Sequence, residues 1–289
     1  MNNQNNSTVF GATGKTGKEL LTFLSEANIP TIAVTRDKSN VKNLPNIEWI
    51  EADMSKKETL EQTMKNSKSV FLASSVNQNF ATEQNNVIES AKQCGVQHIV
   101  KLSSPGADKK SQNVIARLNG EVENILKASG VKFTIIQPNS FMQNWLGYFS
   151  ETVQRERKIY EATGEGKKPF IDTRDIAEVA FKILTKSENH INKSHLLTGG
   201  IAVNYGQVAE GISKVIGGNV EYISLTSDEA KQRMEEKGMT PMMINTFLAI
   251  AEGQRNGKAD FVNTVAEEIL GKKPITVEEF AKHYSQFFK

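Results

Sequence analysis

Cysteine is almost absent. Cys94 stands alone among 289 residues, so no disulfide can close within the chain, and such sparing use suits a reducing compartment. Long apolar runs are missing as well: no stretch approaches the ~18 consecutive apolar residues that a membrane span requires. Neither sign of charge dominates, because 35 Lys and Arg face 33 Asp and Glu and the basic residues are dispersed. That balance gives no footing for a nucleic-acid or membrane-surface partner. The opening MNNQNNSTVF has neither the basic nor the apolar region of a signal peptide and reads as a short disordered leader. Histidine is scarce, with four in the chain, and no metal site is expected. Together these absences make a soluble cytoplasmic protein the default expectation.

What the chain does have is alternation. Short apolar runs at 8–10, 31–35, 47–51, 69–73, 98–102 and 133–137 are rich in Val, Ile and Phe, as parallel strands covered on both faces should be. Helix-period segments separate them. One carries Leu20, Leu21 and Leu24; another opens with Ser55 and Glu58 at capping-box spacing. Two more span about 82–94 and 112–129 and stop at Gly95 and Gly130, where a left-handed residue commonly ends a helix. Repeated βαβ order predicts an α/β fold with a doubly wound parallel sheet.

Beyond Gln137 the rhythm lapses. Residues 138–168 are rich in aromatics (Phe141, Trp145, Tyr148, Phe149, Tyr160). A helix follows from near Thr173, then a short strand at 195–198 able to extend the sheet, then a mostly helical remainder with one strand near 220–225. The expected organisation is a Rossmann-type NAD(P)-binding domain over 1–138, with 170–200 returning to it. Residues 139–169 and 201–289 are expected to form a smaller substrate lobe beside the carboxyl ends of the strands. No Pro/Gly/Ser-rich spacer precedes that lobe, so it is not a bead on a linker.

The run Thr8-Val9-Phe10-Gly11-Ala12-Thr13-Gly14-Lys15-Thr16-Gly17 sets glycines at a strand-to-helix turn. One glycine makes the tight turn, a second lets backbone approach a pyrophosphate, and a third lets helix and strand pack closely. The helix start then offers free N–H groups and a positive dipole end to the phosphates. A nucleotide-hydrolase phosphate loop would need a glycine where Val9 stands, so Gly14-Lys15-Thr16 does not belong to one. The second strand ends at Thr35-Arg36-Asp37-Lys38. An arginine there accommodates a 2′-phosphate, whereas an acid would hold a ribose diol. Arg36, with Lys38 and Lys42 nearby, favours NADP(H); a register shifted by one residue would put Asp37 in the acidic role and admit NAD(H).

These residues resemble the NmrA-like family of atypical short-chain dehydrogenases, which includes NAD(P)H-dependent reductases, quinone reductases and NADP-sensing regulators. The likeness runs through GATGKTG at 11–17, VTRDKS around Arg36, EADMSKKETL at 51–60, FLASS at 71–75 and GVQHIVKLSS at 95–104. It continues in GEVENILKASGVKFTIIQPNSFMQN at 120–144 and DTRDIAEVA at 172–180, and so covers nearly the whole chain. The bacterial relatives of the fungal ergot-alkaloid reductases are a weaker match. The resemblance implies a pyrophosphate turn of Gly11, Thr13, Gly14, Lys15 and Thr16, with Arg36 at the ribose phosphate. It implies Asp53 and Met54 at the adenine edge, Ser74 and Ser75 beside the adenine ribose, and Ser103 near the nicotinamide ribose. Pro138, Asn139 and Phe141 would stand where nicotinamide and substrate meet.

The chain also departs from its relatives. Short-chain dehydrogenases carry Tyr-x-x-x-Lys on the helix after the fifth strand, where lysine lowers the tyrosine pKa for proton transfer. Aligned on Glu123, those positions hold Ile115 and Asn119. A histidine found in some NmrA-like proteins would also fall on Asn119, and His98, His190, His195 and His283 sit at none of the expected places. Tyr148 and Tyr160 are other candidate acids. The catalytic residue is therefore unassigned, and two functions are expected. One is an NAD(P)H-dependent oxidoreductase acting on a quinone, an iminium or an activated alkene. Its apolar pocket would be lined by 141–160 with Met239, Met242 and Met243. The other is a non-catalytic NADP(H) sensor that works through a protein partner.

Overall fold

A computed structural model of the chain describes residues 6–39 and 41–289. The expected leader falls on residues 1–5, outside that range. Contacts divide the chain into two units, Met1–Pro138 with Thr173–Leu197 and Asn139–Asp172 with Thr198–Lys289.

Strands and helices are numbered along the chain. The first unit holds β1 (Asn6–Val9), β2 (Thr31–Thr35), β3 (Ile47–Glu51), β4 (Ser67–Leu72), β5 (His98–Leu102), β6 (Lys132–Pro138) and β8 (Lys193–Leu197), leaving β7 (Lys158–Glu161) to the second. The seven strands run in the order β3-β2-β1-β4-β5-β6-β8, and every neighbouring pair is parallel. All carboxyl ends therefore meet one edge of the sheet. The order reverses between β1 and β4, which is where doubly wound sheets open a crevice for a ligand.

Helices α1 (Lys15–Glu26), α2 (Glu61–Met64), α3 (Phe80–Gln93), α4 (Val114–Ala128) and α6 (Thr173–Thr185) cover this sheet. Phe10, Leu72, Val87, Ile99, Val122 and Ile135 form the core beneath α3 and α4. On α1 and α6, which contact each other, Phe23 stacks on Phe181 with ring centroids 5.9 Å apart. Central strands such as β4 are buried almost throughout, whereas β3 at the sheet's edge is half-exposed, as an edge strand should be. Asn113 caps α4 by accepting the Ala116 N–H at 3.1 Å.

The capping box expected at Ser55 and Glu58 does not form. Ser55 instead donates its N–H and hydroxyl to Asp53 Oδ1 at 2.9 and 2.8 Å. A nearby carboxylate outcompetes the helix start for the serine, and only a 3₁₀ turn at Lys57–Thr59 and the short α2 follow.

The second unit contains β7, which pairs in parallel with β9 (Glu221–Ser224), and helices α5 (Tyr148–Glu156), α7 (Tyr205–Ile216), α8 (Ser227–Glu236), α9 (Pro241–Arg255), α10 (Val265–Leu270) and α11 (Val277–His283). Its core is aromatic. Trp145 stacks on Phe149 at 5.8 Å and meets Phe170 and Phe280 edge-on at 5.0 and 5.4 Å. Trp145 and Phe149 thus serve as packing, whereas Tyr148 is exposed and Phe141 and Tyr160 are half-buried. Met239 and Met242 stand 39% and 55% exposed. Among the described residues no helix is long and apolar enough to cross a membrane.

Candidate cofactor site

The β1–α1 turn does not press equally on its three glycines. Gly11 adopts φ +73, and a Cβ there would lie 2.6 Å from the Ala73 carbonyl oxygen. At Gly17 a Cβ would stand 2.2 Å from the Gly11 oxygen. Both contacts are impossible for a side chain, so packing alone dictates these two residues. Gly14 has an ordinary φ of −76, and its Cβ would meet only the Gly11 oxygen, at 3.1 Å. The turn therefore presses less hard on Gly14 than on Gly11 and Gly17, although a Cβ there would still require the Gly11 carbonyl to shift by a few tenths of an ångström.

No side chain caps α1, leaving first-turn amides for an outside acceptor. The Thr16 hydroxyl is buried with no hydrogen-bond partner. Desolvation pushes the Lys15 ammonium below its usual range, and Thr13, Gly14 and Lys15 are exposed. An uncapped helix start, an orphaned hydroxyl and a nearby ammonium suit a diphosphate.

Arg36 follows β2 directly and is exposed. The Asp37 carboxylate is occupied: Oδ1 accepts the Ser39 N–H at 2.7 Å and Oδ2 the Ser39 hydroxyl at 2.8 Å. Those bonds hold it below the usual carboxylate range. Asp53, after β3, is held low in the same way by Ser55, with Arg36 adding a smaller electrostatic pull. Met54 packs against the core, and its carbonyl accepts the Asn86 amide at 2.9 Å. Ser74 accepts from Gln84 Nε2 at 2.9 Å, and Ser75 is exposed. Ser103 follows β5 and donates to Glu123 Oε1 at 2.7 Å. Pro138 ends β6 and is buried. Asn139 and Phe141 belong to the second unit, where Asn139 accepts the Ser140 N–H at 2.7 Å and Phe141 bridges Ile171. The first-unit candidates all lie at the carboxyl edge of the sheet.

At the position of the missing lysine, α4 carries a bonded amide. Asn119 Nδ2 donates to the Ile115 carbonyl at 3.0 Å, and Oδ1 accepts from Lys101 Nζ at 2.9 Å. Lys101 went unremarked in the sequence; its signal was a charge at an inward position of the apolar strand HIVKL. The two candidate tyrosines are engaged in the second unit. Tyr148 accepts from Arg233 Nη1 at 2.8 Å, and the same guanidinium lies 3.9 Å from the Tyr160 ring centroid. Tyr160 donates to Glu156, which raises its pKa. His98 is bonded to Thr134 Oγ1 at 2.9 Å, and burial pushes it down to about 4. The ring nitrogens of His190 and His195 are 3.1 Å apart. Among the described residues no group of His, Cys, Asp and Glu could hold a metal ion.

Comparison with known proteins agrees with this architecture. The NAD(P)H azoreductase of Xenophilus azovorans is 32% identical over 285 residues, spanning 97% of this chain and 98% of that protein. The NADPH-dependent quinone oxidoreductase of Escherichia coli, solved in complex with NADPH, is similar with a TM-score of 0.85 at 22% identity, covering 96% of this chain and 99% of that one. NmrA, a negative transcriptional regulator solved with NADP, gives a TM-score of 0.81 at 15% identity, covering 97% and 95%. The NmrA-like family model matches residues 4–281, and the chain belongs to that family.

Proposed function

We propose that the chain is an NADP(H)-dependent reductase of a small organic acceptor. The observation that carries this reading is the orphaned Thr16 hydroxyl at an uncapped helix start, beside the exposed Gly14 and Lys15. Gly11, Thr13, Gly14, Lys15 and Thr16 would hold the diphosphate through peptide N–H groups and one ammonium. Arg36 would take the 2′-phosphate, because its neighbour Asp37 already spends both oxygens on Ser39 and guanidinium matches phosphate geometry. Asp53, Met54, Ser74 and Ser75 would line the adenosine half, and Ser103 and Pro138 the nicotinamide half, with Asn139 and Phe141 following. Bound NADPH supplies a hydride at the nicotinamide ring. Acceptors that draw their proton from solvent, such as quinones, iminium ions and activated alkenes, fit a chain without the Tyr-x-x-x-Lys pair. The azoreductase relative adds azo compounds to that set. Such chemistry suits a reducing, cytoplasmic setting.

Pure protein incubated with NADPH and a panel of these four classes should consume reduced nicotinamide above the no-protein control. Arg36→Asp should weaken NADPH binding far more than NADH binding in calorimetry; equal losses would remove Arg36 from the 2′-phosphate. One observation favours a second reading, a nucleotide-sensing regulator acting through a protein partner: Ile115 and Asn119 stand where proton-transfer residues would be. Tight binding of NADPH and NADP+ with no turnover on any acceptor would select it.

A further inference from the structure

The expected helix lysine is missing from α4, yet an ammonium stands at the same place. Lys101 leaves β5 fully buried. Its nitrogen donates to Asn119 Oδ1 at 2.9 Å and to the Leu102 carbonyl, which takes two of its three protons. The Phe80 ring centroid lies 5.5 Å away. Among the described residues no carboxylate makes an ion pair with it; the opposite charge that acts on it is Glu123, one helical turn beyond Asn119. Around this group α4 contributes Glu123 and, bonded to that acid, Lys127. From α3 comes Phe80 and from β6 Gln137, both uncharged.

Packing does not account for such a residue. A buried ammonium without an ion pair is costly, and methionine would fill the space without that penalty. The electrostatic field of Lys101 offers a reason. Glu123 is 3% exposed and receives the Ser103 hydroxyl at 2.7 Å, the Gln137 amide at 2.7 Å and the Lys127 ammonium at 3.0 Å. Three donors thus converge on this carboxyl, one of them the Lys127 ammonium with which it forms an ion pair. Because Glu123 accepts from Ser103, the single hydroxyl proton of Ser103 is committed to it and the lone pairs of Ser103 are left for an outside donor. Ser103 lies across the β1/β4 switch from Arg36, on the half of the sheet that takes the second nucleoside of a dinucleotide.

We propose that Lys101 is a positioning residue. It supplies from β5 the positive charge that a helix lysine would otherwise supply, and through Glu123 it fixes Ser103 as an acceptor for a donor group on the nicotinamide half of the cofactor. This rests on the reading that a nicotinamide dinucleotide binds at the β1–α1 turn.

The test uses Lys101→Met, Ser103→Ala, their combination, and Lys101→Met with Asn119→Lys, which moves the ammonium onto the helix. Calorimetric NADPH titration and thermal melting are read for each. Lys101→Met is expected to melt no lower than wild type and to bind NADPH about tenfold more weakly, the scale of one charge-assisted contact. Adding it to Ser103→Ala should cost little more, and Asn119→Lys should restore most of the affinity. Wild-type affinity in Lys101→Met overturns the proposal, as does a loss that adds fully to that of Ser103→Ala or one the relocated lysine fails to recover. Should Lys101→Met alone not fold, the relocated variant decides: wild-type affinity supports a role for the charge, and weak affinity overturns it. A wild-type chain that binds no NADPH would instead sink the cofactor reading itself.

Discussion

Lys101 in the first unit and Lys168 in the second are both buried, and desolvation pushes their ammonium groups down to about 7 and about 8. Their surroundings differ. Lys101 is tied to Asn119 and Leu102, and its acid, Glu123, has three donors of its own. Lys168 makes one long bond, 3.3 Å to Ser140 Oγ, and lies 5.9 Å from the Phe170 ring centroid. The side-chain carboxyl of its acid, Glu161, receives no hydrogen bond among the described residues, and burial pushes it up to about 7. Removing Lys101 leaves every remaining charge paired. Removing Lys168 takes away the cation that acts on the half-buried Glu161 carboxyl. The first unit encloses a cation within a bonded network, and the second encloses an acid and a base that feel each other across a gap, so their protonation states are coupled.

The contrast has a sign in pH. Stability rises with pH wherever the unfolded chain binds more protons than the folded one. Lys101 is lowered from 10.5 to about 7 in the fold, so its cost is full below about 7 and disappears as pH rises toward 10.5. Lys101→Met should therefore outlast wild type in urea at pH 6, by an amount on the order of several kcal/mol before the lost bonds are subtracted. The advantage should shrink at pH 8 and be gone near pH 10.5. This is the largest effect expected, and a loss of stability at every pH would mean that Lys101 is a structural strut.

Glu161 runs the other way. Its folded pKa is raised from 4.5 to about 7, so the folded chain binds more protons between those values and loses stability as pH rises through that window. Glu161→Gln should match wild type near pH 4.5, gain on it up to pH 7, and hold its lead above. The gain is smaller than for Lys101→Met because the shift is smaller and Lys168 loses its counter-charge. An advantage greatest at acid pH would reverse the assignment. A finer measurement isolates the coupling. Carboxyl-carbon NMR should find Glu161 titrating about one unit higher in Lys168→Met and unmoved in Lys101→Met. Movement in both variants would dissolve the distinction between the units.

Much of the sheet was legible because its strands speak locally. Ile47–Glu51, Thr31–Thr35 and His98–Leu102 are short β-branched runs whose ends coincide with changes of composition, and the glycine turn announces the strand-to-helix switch. What stayed hidden depends on partners distant in sequence. Lys101 meets Asn119 eighteen residues on, and Glu123 meets Gln137 fourteen residues on; no window of a helix or strand contains either pair. β7 has four residues, and only its pairing with β9 makes it a strand. The Ser55 capping box failed through the opposite error, because a pattern read over four residues ignored the acid two positions earlier. At the carboxyl edge, residue types and strand ends were readable, but that Ser39 occupies Asp37 was not.

The smallest effect tests whether α4 matters to the Lys101 network as a rigid carrier. Asn113 caps that helix through its bond to the Ala116 N–H. Asn113→Ala should cost about 1 kcal/mol in urea unfolding, since one first-turn donor would turn to water. The cap lies two turns from Asn119, and the intervening hydrogen bonds should confine fraying to the first turn. Glu161 should titrate as before, and the pH profile of Lys101→Met should keep its shape in the double variant. If removing the cap flattened that profile, the ammonium would owe its state to the placement of α4 as a whole, and the contrast between a tied lysine and a facing pair would have to be recast as one between a movable helix and a fixed loop.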